Sequence, residues 1–148
     1  MSVSQRLSEI LDALDLMSDE EERSALLIDF SDRFRDVPPS VARRPFPEDH
    51  RVRYCESEAY VWGVEQPDGT LKFHFAVENP SGISAKALAV LLDKAFSGAS
   101  LEEVASVSPD IVQKIFRQNI SMGKGMGLMS MVETVRNLGR QKLSERKL

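Results

Sequence analysis

The sequence predicts an α+β fold, on three observations. A helical apolar period runs through the first third, a strand-like alternation with a turn signal fills the middle, and the helical period returns after Gly82. The strand-like part reads as a three-stranded antiparallel meander, and residues 1–148 read as a single domain. A chain of 148 residues buries a core without help from disulfides or a structural metal.

The first helix is predicted from SQRLSEILDALDLM, which places Leu7, Ile10, Leu11 and Leu14, with Met17, on one stripe. Ser18 and Glu21 then fit a capping box, in which each side chain satisfies a free backbone donor at a new helix start. The second helix turns Leu26, Leu27, Phe30 and Phe34 inward and must end before Pro38 and Pro39, which remove amide donors. The segment VPPSVARRPFPED, with four prolines in thirteen residues, reads as a stiff extended connection rather than a packed element, or as a flexible recognition arm.

Three strands are predicted from RVRYC, EAYVWGVE and LKFHFAVE, with Pro67-Asp68-Gly69 as the turn between the last two. Cys55 falls where the first strand gives way to the second, because Glu56-Ser57-Glu58 is too polar to continue a buried strand. ISAKALAVLLDKAF is the next helix, with Ile83, Leu88, Leu91, Leu92 and Phe96 for burial and Gly98 as its stop. Ser100 to Glu103 forms another capping box, and Ser108-Pro109 suits the start of one more helix. The last helix begins near SMGKGMGLMSM, and the charged tail SERKL is expected to fray.

Composition narrows the function. The hydrophobic share of 42%, the charged share of 28% and the lack of any apolar run of about 20 residues describe a soluble protein that spans no membrane. The acidic start lacks the basic-then-apolar order of a secretory signal, so a cytoplasmic location is expected. A formal charge of -4 argues against nucleic-acid binding. The basic residues Arg43, Arg44, Arg51 and Arg53 are offset by Glu48, Asp49, Glu56 and Glu58. A single cysteine excludes an intramolecular disulfide and any Cys-rich zinc or iron–sulfur site made by one chain.

Cys55 is either a small buried hydrophobe or a reactive thiol, and reactivity needs a cation, a histidine or a helix start nearby. His50 and His74 are the only histidines, so a Cys–His pair is open in principle; His74, alternating with Phe73 and Phe75, reads as a sheet-face residue. Two histidines are too few for a metal site. GKGMG at 123–127 lacks the spacing of a phosphate loop and reads as a tight entry to the last helix, with Met122, Met126, Met129 and Met131 as pliable packing. A loop of that kind, carrying Lys124, can also face an anion or thiolate.

The order of elements and three local patterns resemble the SufE family of sulfur-acceptor proteins. Cys55-Glu56-Ser57-Glu58-Ala59-Tyr60-Val61 is similar to the family's Gly-Cys-x-Ser-x-Val-Trp-Ile stretch, with Tyr60 at the tryptophan and Tyr54 in place of the glycine. SAKALAVLL is similar to the helix after the third strand, with Lys86 and Leu88 matching, although Asn79-Pro80-Ser81 replaces a polar Asp-Ser-Asp entry. ISMGKGMGLMSM resembles Leu-Ser-Pro-x-Arg-x-Asn-Gly-Leu-x-x-Met: Ser121, Gly127, Leu128 and Met131 match, while Lys124 and Met126 replace arginine and asparagine. Lysine lacks the planar multiple bonding of arginine.

The resemblance implies a SufE/IscU-like fold with helices on one face of the sheet and Cys55 on a loop at its end. It implies that Cys55 accepts a persulfide from a SufS-type cysteine desulfurase and passes it to a SufBCD-type iron–sulfur scaffold. Pyridoxal phosphate belongs to the partner, and the chain needs no cofactor or metal of its own. It is then an accessory sulfur-transfer protein, a monomer or weak homodimer, rather than a stand-alone enzyme. Ser57, Tyr60, Lys86, Lys124 and Gly127 are the supporting residues by position, with Tyr60 or Leu128 expected to wall the thiol. The alternatives are a thiol hydrolase or transferase using Cys55 with His50 or His74, and a non-catalytic interaction module.

Overall fold

The computed structural model describes residues 3–17, 19–117 and 120–146. Two helices open the chain, α1 at Val3–Asp15 and α2 at Glu20–Asp32, and a hairpin follows, β1 at Ala59–Glu65 and β2 at Leu71–Val77. Four helices complete it: α3 at Ile83–Phe96, α4 at Leu101–Ala105, α5 at Ile111–Phe116 and α6 at Met122–Arg146.

Capping residues set the boundaries. The expected cap Ser18 lies outside the described residues, and Asp19 stands at the N-cap of α2, its Oδ1 accepting from the Glu21 amide at 2.9 Å. Ser100 caps α4 as its spacing foretold, accepting from the Glu103 amide. Gly98, just past α3, takes φ +79°, a left-handed value that costs glycine little. The α5 helix starts later than Ser108-Pro109 suggests: Ser108 Oγ accepts from the Asp110 amide, making a turn before Ile111. The last helix is continuous from Met122 through Ser144 to Arg146, so the expected fraying does not occur at Ser144-Glu145-Arg146; Lys147 and Leu148 lie outside the described residues.

The sheet has two strands among the described residues, not three. β1 and β2 pair antiparallel from Ala59↔Val77 to Glu65↔Leu71 around the Pro67-Asp68-Gly69 turn. That turn is closed by the Gly69 amide on Gln66 and by the Thr70 amide on Asp68 Oδ1. The expected first strand is reduced to one bridge, Arg51↔Tyr60, beside which the Val52 amide donates to Ala59 at 2.8 Å. Pairing stops there because Tyr54 and Glu58 both have positive φ, +59° and +52°, which turns the chain away from extended geometry.

Both faces of the hairpin are covered, by different means. Ala59, Val61, Leu71, Phe73, Phe75 and Val77 face the main core with Leu88, Leu92 and Phe96 of α3 and Met131, Val132 and Val135 of α6. Each fully buried Val, Leu, Phe or Met side chain among them contributes about 1.5–3 kcal/mol. Tyr60, Trp62 and Ala76 face the other way and pack with Val37 and Phe46. The proline-rich segment is therefore a packed element, not a free connection or arm: Val37 donates its amide to Phe75, and Phe46 lies against Tyr60 and Trp62 at 5.2 and 5.0 Å. Arg44 sits over the Phe46 ring and pairs with Asp36 and Glu78. The expectation of helices on one face holds; the second face is closed by this extended strap.

Arg23 is a buried cation, 1% exposed, that sequence periodicity does not reveal. Its guanidinium donates to the carbonyls of Leu14, Lys114 and Ile115, at the C-terminal ends of α1 and α5, where helix dipoles favour positive charge. Burial pushes its pKa below the ordinary arginine value, and the nearby Arg117 adds to that. Among the described residues no helix is long and apolar enough to cross a membrane.

Candidate functional site

Residues 54–58 form an arch whose two ends, Tyr54 and Glu58, are the left-handed residues, with Cys55 inside it. The Glu58 amide donates to the Cys55 carbonyl at 3.1 Å, closing the arch upon itself. The amides of Asn79 and Glu78 donate to the carbonyls of Ser57 and Glu58, both at 3.1 Å, which ties its second half to the end of β2.

Two glycines fit the arch into the body. A β-carbon at Gly82 would lie 2.9 Å from Ser57 Oγ and 2.9 Å from Val77 Cγ1, so the start of α3 closes over Ser57 only because no side chain intervenes. A β-carbon at Gly127 would lie 2.7 Å from the Tyr54 carbonyl oxygen and 2.9 Å from the Cys55 Cα, so α6 passes against the cysteine's own backbone. Real β-carbons do not make such contacts. The glycines of GKGMG are thus inside α6, not in an entry loop, and close approach explains the last of them.

Cys55 is half-buried and packs against the edge of the main core that contains Leu128. It opens onto a groove of about 690 Å³ lined by Glu48, Arg51, Arg53, Tyr54 and Glu56 among others. Arg51 pairs with Glu48 at 3.6 Å. Two stretches expose apolar side chains: Tyr54 in the arch is 73% exposed, and Met122 and Met126, one turn apart in α6 before Gly127, are 87% and 51% exposed. Met129 and Met131 do pack, but these first two do not, so the expected packing role fails for them. Ile83, which follows Gly82 and was expected in the core, is likewise exposed.

The structure gathers some of the sequence-derived residues and separates others. Ser57 lies within the arch, and Gly127 touches it directly. Lys86 lies one turn into α3, its amide on the Gly82 carbonyl and its ammonium 3.4 Å from the Pro80 carbonyl. Lys124 is exposed on the first turn of α6, where its amide donates to Ser121 Oγ. Tyr60 does not wall the thiol: it is buried on the opposite face of the hairpin against Phe46, because alternation along β1 places it opposite Ala59 and Val61. Leu128 belongs to the core cluster against which Cys55 packs.

The histidines stand apart from the groove. His50 Nδ1 donates to the Val61 carbonyl at 3.1 Å while its ring stacks on Trp62. His74, opposite Trp62 in the hairpin, lines a different groove with Lys72 and Asp93, and burial followed by Lys72 lowers its pKa from 6.5. Neither lines the Cys55 groove. No group of three or more His, Cys, Asp or Glu that could hold a metal occurs among the described residues.

Sequence reasoning passed over Gly82 and Glu58. For Gly82 the signal was present, a glycine placed directly before a helix start beside a predicted loop. For Glu58 there was none, since a left-handed glutamate has no local marker.

Two comparisons find known proteins to which this chain is similar. The family described as "SufE: Fe-S metabolism associated domain" matches residues 8–138. No curated protein matches. Among solved structures, the solution structure of a hypothetical protein from Thermus thermophilus is similar at 23% identity over 94% of this chain and 96% of that one, with a TM-score of 0.71. At that identity the likeness speaks for the α+β fold.

Proposed function

The chain belongs to the SufE family and so to Fe–S metabolism, and on that premise we propose that Cys55 is a persulfide acceptor. The thiolate of Cys55 attacks the terminal sulfur of a persulfide on a cysteine desulfurase. The sulfur–sulfur bond of the partner breaks, its cysteine leaves as thiolate, and Cys55 carries the new persulfide. No net oxidation occurs, so the step needs no cofactor on this chain. The sulfur then passes to an iron–sulfur assembly scaffold of the SufBCD kind.

The observation that carries the reading is the placement of the only cysteine, inside an arch and open to a groove that exposed Tyr54 lines, with exposed Met122 and Met126 on the stretch of α6 that leads to Gly127. Exposed apolar side chains beside a reactive atom suit a surface that a protein partner covers. The absence of any second cysteine fits a carrier, because a neighbouring thiol would resolve the persulfide to a disulfide and release sulfide. Against a Cys–His hydrolase stands the engagement of His50 with Val61 and the position of His74 in another groove.

The test is mass spectrometry after incubation with a cysteine desulfurase and cysteine. The wild type should gain one sulfur atom, and Cys55→Ser should gain none while keeping its circular dichroism and melting temperature. The same adduct on Cys55→Ser would end the assignment.

A further inference from the structure

The Cys55 arch and α6 meet backbone to backbone at Gly127. Cys55 Cα and the Tyr54 carbonyl lie where a side chain at position 127 would be, at 2.9 and 2.7 Å from a β-carbon there. We propose that Gly127 is the positioning residue for Cys55: the bare backbone at 127 is the seat into which the cysteine retracts, and side-chain size at that position sets how far Cys55 is exposed. The inference rests on the carrier reading for its functional meaning, and its geometry stands independently of that reading.

The two sides of the contact differ in their freedom to yield. On the helix side, Leu128, Met131, Val132 and Val135 are each no more than 3% exposed, so α6 cannot shift outward without opening the core. On the arch side, the backbone hydrogen bonds lie at and after Cys55: Cys55 carbonyl to Glu58, Ser57 carbonyl to Asn79, Glu58 carbonyl to Glu78. The limb before Cys55 is exposed Arg53 and Tyr54, hinged at the left-handed Tyr54. A methyl group at 127 therefore displaces that limb, and the thiol moves toward solvent with it. In the wild type the seat keeps the thiol half-buried and a docking partner must draw it out; a larger residue at 127 removes that step.

Gly123 provides the control, since a β-carbon there meets nothing within 4 Å. Gly127→Ala should raise the rate of Cys55 alkylation by iodoacetamide about tenfold, as expected when overpacking favours an open arch over a closed one. Gly123→Ala should leave the rate unchanged. The increase should persist at low denaturant concentrations without tracking global unfolding, a behaviour that mere loss of stability would not produce. An unchanged alkylation rate in folded Gly127→Ala, or a rate that rises only with global unfolding, overturns the proposal. Should that variant fail to fold, the wild type decides: a nuclear Overhauser contact between the Gly127 and Cys55 α-protons is expected, and its absence in assigned spectra overturns the seat. Sulfur uptake by the wild type with unchanged alkylation in Gly127→Ala defeats the seat alone. Faster alkylation in that variant with no sulfur uptake by the wild type defeats the carrier reading alone.

Discussion

The two halves of α6 each come close to a neighbour through a glycine, and the neighbours respond differently. At Gly139 a β-carbon would lie 2.7 Å from Val104 Cγ1, 3.0 Å from Val104 Cβ and 3.1 Å from the Ala105 nitrogen; at Gly127 it would lie 2.7 Å from the Tyr54 carbonyl oxygen. The distances match, but α4 at Gly139 is capped by Ser100, buries Leu101 and Val104, and receives a hydrogen bond from Arg140 Nε at the Ala105 carbonyl. The arch at Gly127 ends in an exposed limb. The same residue type at the same spacing thus serves stability in one half and position in the other, and what decides is whether the facing segment is free to move.

The largest expected effect breaks the rigid half. Gly139→Val forces two further methyl groups against Val104 and should cost about 2–3 kcal/mol, lowering the melting temperature by roughly 5–10 °C. Cys55 alkylation below the transition should be unchanged. A melting temperature within a degree or so of the wild type would mean that α4 yields as the arch does, and the contrast would fall.

How far the sequence discloses this contrast depends on which interactions are local. Helical periodicity places α1, helix propensity places α3, and Pro67-Asp68-Gly69 places the hairpin, because those signals sit in adjacent residues. The strand expected at RVRYC is lost to two positive φ values that no neighbouring residue foretells. The packed strap is invisible for the same reason: its partners, Tyr60, Trp62 and Phe75, are far along the chain, and proline content speaks only of local stiffness. Cys55 was legible as a candidate through its uniqueness and the family resemblance. Its seat was not, since GKGMG reads equally as a loop until the arch lies against it.

A smaller effect sharpens the mobile half. Tyr54 stands where the family has glycine, and φ +59° gives the physical reason for that preference. A bulky residue held left-handed costs about 1–2 kcal/mol, while glycine forfeits about 0.5–1 kcal/mol through its freer unfolded chain. Tyr54→Gly should therefore stabilise the protein by about 0.5–1 kcal/mol, read as a higher urea midpoint at constant slope, because an exposed ring loses little packing. Lower stability would show that the ring packs in solution and that the arch is held by more than its hinges and seat.

The smallest expected effect asks whether charge, rather than packing, fixes the rigid half. Beyond Gly139, Lys142 and Arg146 approach Glu65 of β1 at 3.5 and 3.8 Å, with side chains between 32% and 52% exposed. Lys142 also pairs with Glu145 at 3.3 Å, and its pKa is raised by Glu145 first and Glu65 second, so losing Glu65 leaves its main partner in place. Exposed pairs of this kind are worth little once solvent and side-chain entropy are counted. Glu65→Gln should change stability by less than about 0.5 kcal/mol, with no greater sensitivity to salt than the wild type. A loss above about 1 kcal/mol that vanishes in high salt would make the C-terminal half of α6 an electrostatic clamp, and the glycine contact at Val104 would no longer account for its rigidity.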